Sequence, residues 1–297
     1  MVVRYYFLLL TISLLFQSSA SAKPNENPTY TDPQHADEDF ALQGEYTGDM
    51  LTDGQSMPVG VQVIALGDGS FDAVGYPGGL PGAGWNPPDK VMAKGSRENG
   101  PQGAIVKFTG KDGDNTEITA EILVTDGQPI LNVVDGDGNR TASLKKVNRK
   151  SSTLGLQAPA DAIVLFDGTD TERFLNGRMT DDGLLMEGVT TKDSFGSAHW
   201  HIEFCLPYQP KNRGQGRGNS GAYFHGSYET QMLDSFGLEG QNNECGGIYK
   251  VASPVVNMCL PPLSWQTYDV DVTAPQFEDG KKIANARLTV RHNGVLI

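Results

Sequence analysis

The sequence predicts an all-β protein in which a small antiparallel β domain precedes an antiparallel sandwich of the jelly-roll kind. Three observations carry this. The 297 residues include 36 glycines and 17 prolines, too much turn chemistry for a helical bundle. Short runs of β-forming residues are separated by Asp-Gly and Gly-Asp pairs, the punctuation of hairpins. No run keeps a helical period over three turns.

Taken in order, residues 1–22 read as a signal peptide: Arg4, an apolar run from Tyr5 to Phe16, then small residues ending Ala20-Ser21-Ala22. The run is too short to span a bilayer, so an exported, periplasmic or extracellular protein with no membrane insertion after cleavage is expected. Residues 23–39, polar and acidic with three prolines, are expected to form a disordered linker. Residues 40–147 carry the runs VGVQVIAL, FDAVGY, AIVKFTG, TEITAEILV and PILNVVD, each ended by a turn signal, and make the small β domain. Asp135-Gly-Asp-Gly-Asn139 opens like a calcium loop, but Arg140 and Lys146 stand where glycine and the bidentate glutamate are needed, so a hairpin turn is expected. Residues 148–161 read as an interdomain linker. From 162 onward AIVLFDGT, LLMEGV, WHIEFCL, GAYFHG, YETQML, TYDVDVTA and ARLTVRH supply seven short strands. Asn293-Gly294 is a type I′ turn signal with three residues after it, which suggests a fragment lacking at least one strand.

With 23 basic and 36 acidic residues the net charge is -13, which disfavours nucleic acid and anionic membrane surfaces and leaves a neutral or cationic partner such as a sugar open. Of the three cysteines, Cys245 and Cys259 are the pair able to close a small loop; buried free thiols are the alternative.

Period-two alternation assigns faces in the second unit. Trp200, Ile202, Phe204 and Leu206 form an apolar face, and His199, His201, Glu203 and Cys205 the opposite one. His199, His201 and Glu203 have the donor types for a divalent metal, although an exposed strand edge would carry the same pattern. In GNSGAYFHGSYETQMLDSFG two strands follow each other closely as a hairpin, with Glu229 and Gln231 on one face, where they could bind adjacent hydroxyls or exchange protons. A solvated sandwich face is the competing reading.

This segment, with CGGIYKVASPVVN, PPLSWQTYDVDVTAP, ARLTVRHNGVL and the opening LFDGTDTERF, resembles the 3-keto-disaccharide hydrolase domain family from about Ile163 to the end. The resemblance implies a concanavalin-like jelly roll that acts on a small carbohydrate whose C3 hydroxyl has been oxidised to a ketone. The ketone acidifies the C2 hydrogen, so base removal and elimination of the C1 oxygen cleave the glycosidic bond, as lyase or, after water addition, as net hydrolase. It implies Glu229 as base or acid, Gln231 and Asn219 holding hydroxyls or the enolate oxygen, and Glu203 as second carboxylate. His225, Tyr228, Asp234, Tyr249 and Trp265 are lesser substrate-binding candidates, each with a structural alternative: a turn cap for Asp234, packed rings for the tyrosines, core for Trp265. His199 and His201 lie outside the family pattern, so a divalent metal, the one cofactor considered, rests on this sequence alone. The rival function is a non-catalytic carbohydrate-binding module, and a third is an extracellular interaction scaffold.

Overall fold

The computed structural model describes residues 27–297 except 53, 101–102 and 112–114; the signal-peptide reading of 1–22 lies outside these residues. The regular structure is almost entirely antiparallel β, arranged in two units.

The first is a closed barrel of eight strands, each paired with the next: β1 (Gly44–Thr52), β2 (Gln55–Gly67), β3 (Ser70–Pro77), β4 (Val91–Gly100), β5 (Gly103–Lys111), β6 (Glu117–Thr125), β7 (Gln128–Val134) and β8 (Arg140–Val147). β1 closes the ring on β8 through Glu45↔Val147, Tyr46↔Lys146, Thr47↔Lys145 and Met50↔Ala142. Alternate residues point inward, so Tyr46, Val61, Val63, Phe71, Phe108, Ile122, Leu131 and Leu144 fill the interior, as in other small barrels. Gly95 sits opposite Phe108, and a Cβ there would come within 2.5 Å of that ring. Asp135 makes the expected β7–β8 turn, its Oδ1 accepting from the Asp137 and Asn139 amides at 3.0 and 2.8 Å.

The second unit is two-layered. One layer is a four-stranded sheet in the order β11 (Ala198–Cys205), β14 (Trp265–Thr273), β17 (Arg287–His292), β18 (Val295–Leu296). The Asn293-Gly294 turn holds φ of 53° and 83° and pairs Val295 and Leu296 with His292 and Arg291. The other layer is the hairpin β12 (Ser220–Phe224) and β13 (Tyr228–Met232). Between the layers lie Phe204, Phe224, Met232, Tyr268, Val270 and Val290, with Trp200 set edge-on to Phe224 at 5.6 Å.

The runs AIVLF and LLMEGV differ from expectation. Residues 162–166 and 186–189 form no strand, and Ile163, Val164 and Leu184 stand exposed, because a β-forming run becomes a strand only where a neighbouring edge takes its amides and carbonyls. The strand pairing here is short: β9 (Phe174–Leu175) with β10 (Thr190–Thr191), and a single bridge from Met179 to Leu185. A further small hairpin, β15 (Gln276–Glu278) with β16 (Lys281–Ala284), follows β14.

β2 is buried on both sides. Val61, Val63 and Ala65 face the barrel interior, while Ile64 joins Val74, Tyr76 and Leu80 of the barrel in the sandwich's own apolar cluster. The run VGVQVIAL is therefore apolar on both faces near its end. Beside it the buried Arg217 donates from Nε to Asp234 Oδ2 at 2.6 Å and reaches the Ala65 carbonyl. Arg149 grips Glu45 with two bonds of 2.6 and 2.5 Å, and Gln62 and Tyr76 extend that network.

Residues 27–39 correct the expectation of a disordered linker. Tyr30 exchanges two backbone bonds of 2.9 Å with Tyr208 and stacks on its ring, the Tyr208 hydroxyl donates to Asp37 at 2.9 Å, and Asp39 is buried against Arg97. Composition foresaw no core of the segment's own; here it borrows one from both units. Cys205, Cys245 and Cys259 are all free, the latter two buried.

Candidate functional site

The hairpin's two faces decide the site. Phe224, Ala222, Tyr228, Thr230 and Met232 turn inward, so Gly221, Tyr223, Glu229 and Gln231 turn outward. The register sets Tyr223 directly opposite Glu229, and its hydroxyl donates to Glu229 Oε2 at 2.7 Å. Gly221 gives the carboxylate its room, since a Cβ there would lie 2.1 Å from Glu229 Oε1. The bond to the carboxylate, with its charge, raises the Tyr223 phenol above its ordinary value and keeps it a proton donor.

Next to this pair, Gln231 on the same strand face leads into a chain of amides. A 3-10 turn at Gly214–Gly216 carries Gln215, whose Oε1 accepts from Gln231 Nε2 at 3.0 Å and whose backbone carbonyl accepts from Asn219 Nδ2 at 2.9 Å. Gln215 Nε2 in turn donates to the Asn243 carbonyl at 2.7 Å. The segment around Tyr249 runs along β13: its amide donates to the Glu229 carbonyl at 2.9 Å, and the Gln231 amide donates to the Gly247 carbonyl at 2.9 Å. Glu229, Tyr223, Asn219, Gln215 and Tyr249 thus gather on one side of the hairpin. Gln231 is 1% exposed, so it does not touch a ligand directly as expected; its amide holds Gln215 in place.

Tyr223 and Gln215 are the residues sequence reasoning missed. The first had a signal, since a hairpin with a short turn fixes cross-strand partners. The second had none, because its approach is tertiary.

Glu203 is a correction. It belongs to the face of β11 opposite Phe204, away from the hairpin, so the apolar interior of the sandwich separates it from Glu229. The two carboxylates do not form a pair. Asp234 is likewise placed in the buried pair with Arg217, and Tyr228 packs inward. His225 occupies the exposed hairpin turn with φ 51°. Trp265, 41% exposed, lies on the outer face of β14, paired with Cys205 rather than with the hairpin.

The outer face of β11 and β14 also replaces the metal expectation. His199 Nδ1 pairs with Asp271 at 2.8 Å; His201 Nδ1 pairs with Asp269 at 2.7 Å and its Nε2 with Glu203 at 3.2 Å. Thr153 donates to Asp269 at 2.8 Å and the Gly155 amide to Glu203 at 2.5 Å, so the segment read as a linker straps this face. Among the described residues no group of three or more His, Cys, Asp and Glu is arranged to hold a metal ion. Opposed carboxylates on a neighbouring strand satisfy both histidines instead.

One consequence is a pH dependence. Burial alone would lower the His201 value, but bonds to Asp269 and Glu203 outweigh it and raise it above the ordinary 6.5. A raised folded value favours the fold while imidazolium forms, so this contribution is complete below about pH 6.5 and is lost as pH rises through the folded value. Partial exposure limits it to under about 1 kcal/mol. Denaturant midpoints taken from pH 6 to 8 are expected to fall in the native chain and to fall less in His201→Gln; equal slopes would refute the assignment.

A solved structure of a provisionally assigned glycosyl hydrolase from Parabacteroides distasonis is 34% identical over 47% of this chain and 65% of its own, with a TM-score of 0.44. The chain therefore spans about 65% of that protein's length. No curated protein matches the sequence. No helix among the described residues is long and apolar enough to cross a membrane. The sequence model of the 3-keto-alpha-glucoside-1,2-lyase-like domain matches residues 161–297. The matched residues are similar to that domain family and include the whole of the Glu229 face.

Proposed function

We propose that the chain is an exported enzyme that cleaves 3-keto-glycosides, with Glu229 as the base. The observation that carries the proposal is the Tyr223–Glu229 pair, a carboxylate and a protonated phenol 2.7 Å apart within the residues that match this family's model, with the bonded amides of Gln231, Gln215 and Asn219 following along the same face. The Glu229 carboxylate takes the C2 proton of the keto sugar, and the electron pair delocalises into the C3 carbonyl as an enolate. Collapse of the enolate forms the C1–C2 double bond and breaks the bond from C1 to the glycosidic oxygen, which leaves as an alcohol after gaining a proton. Tyr223 is the proton donor nearest to hand, and the exposed Asn219 amide offers a donor to the enolate oxygen. Addition of water across the double bond completes a net hydrolysis; release before that step is lyase activity. A second carboxylate across an oxocarbenium ion is not needed, which agrees with Glu203 lying on the far face.

The test incubates the full chain with a 3-keto-disaccharide and with its unoxidised parent and follows products by mass spectrometry. Cleavage of the keto sugar alone is expected. Binding of both sugars without cleavage of either would assign the chain to the carbohydrate-binding modules instead.

A further inference from the structure

A cleft of about 400 Å³ opens at the seam between barrel and sandwich, away from the Glu229 face. From the barrel side Gly44, Lys146, Arg149 and Lys150 line it; from the sandwich side the segment from Pro261 to Trp265 does. Its size falls in the range of small-molecule sites, roughly 300–1,000 Å³. We infer that this cleft is a second carbohydrate site and that it selects a sugar bearing a carboxylate.

Charge is the first reason. No Asp or Glu lines the cleft, in a chain whose net charge is -13. Arg149 is neutralised by Glu45, but neither Lys146 nor Lys150 has a carboxylate partner among the described residues. The Lys146 ammonium donates to the Ala41 carbonyl at 2.7 Å, leaving two of its three donors for a ligand. Its stem crosses Gly44, where a Cβ would come within 2.8 Å of Cε, so the glycine keeps the ammonium at the cleft. Burial lowers this group to about 8, the sign of a cation short of both water and anion. A bound carboxylate would supply the missing charge.

The aromatic floor is the second reason. Trp85 packs edge-on against Tyr76, and Trp200 against Phe195 and Phe224, whereas Trp265 has no ring partner among the described residues and is 41% exposed. A flat exposed indole in a cleft also lined by the exposed Asn148 offers a stacking surface and a hydroxyl partner to a pyranose. A bare anion would have no use for the indole, and a neutral sugar none for the two ammonium groups.

Calorimetry on the full chain with three probes tests this: a disaccharide ending in glucuronic acid, the same disaccharide ending in glucose, and acetate. The uronate is expected to bind at least tenfold tighter than the glucose form, with acetate alone undetected. Trp265→Ala and Lys150→Gln, both at exposed positions, are each expected to weaken uronate binding at least tenfold, while Glu229→Gln leaves it unchanged. Equal binding of the two disaccharides, binding of acetate as strong as of the uronate, or indifference to Trp265→Ala would overturn the assignment. Because the probes are unoxidised sugars and the readout is heat, the result stands apart from turnover at the hairpin.

Discussion

Glu229→Gln is expected to abolish turnover of a 3-keto-glycoside, by roughly 10²- to 10⁴-fold in kcat, the range over which a positioned base acts. Glutamine keeps the length and the acceptor for the Tyr223 hydroxyl but cannot take a proton. The side chain points outward from the hairpin and makes no contact in the apolar cluster, so the fold should survive, and unchanged thermal unfolding confirms that the loss is chemical. The same variant should let the Tyr223 phenol fall back toward its ordinary value, because the bond to Glu229 is the largest cause of its rise. Ultraviolet titration of the tyrosines reads this without any substrate. If kcat stays within a factor of three of the native value, the base is another group and the proposed chemistry fails at its first step.

The second large effect is on stability in acid. His292 is buried completely between Phe204 and Tyr268, with ring centroids 5.9 and 4.8 Å away. Its Nε2 meets Gln266 Oε1 at 2.9 Å, so the ring donates there in its neutral form, and Nδ1 is buried without a hydrogen-bond partner among the described residues. Burial pushes its value down to about 3 from 6.5. The unfolded chain therefore binds this proton between those values while the folded chain refuses it, and stability is lost as pH falls from about 6.5 toward 3. At about 1.4 kcal/mol per unit, His292 accounts for on the order of 4 to 5 kcal/mol by pH 3. His292→Phe fills the same space without a titratable group. Denaturant unfolding from pH 7 to 4 should show a much shallower loss in the variant, whatever its stability at neutral pH. Parallel curves would show that buried carboxylates, not this imidazole, set the acid limit. Together with His201 acting in the opposite direction, the two histidines confine greatest stability to near pH 6.5.

Much of the framework was legible because it is local. VGVQVIAL, FDAVGY and TEITAEILV became β2, β3 and β6, and WHIEFCL and TYDVDVTA became β11 and β14, since period-two patterns and turn residues act within a few positions. The hairpin that bears Glu229 was readable from its short His225-Gly226-Ser227 turn, and its outward face from the alternation of β13. β1, β4 and β8 were not read as strands. Glycine and charged residues blur their alternation, and they become strands by pairing with neighbours already in place.

What the sequence by itself determined is which residues share a face: Glu229 with Gln231, His201 with Glu203, Trp200 with Phe204. Only the tertiary structure decided where each face looks. It closed β1 on β8, turned Glu203 and Glu229 to opposite sides of one apolar layer, brought Gln215 over Gln231, and left Trp265 at a seam with Lys146. The reason is physical. Alternation is set by the backbone of one strand, whereas the side that is buried is set by which distant apolar surfaces exclude water together, and no window of adjacent residues contains both partners.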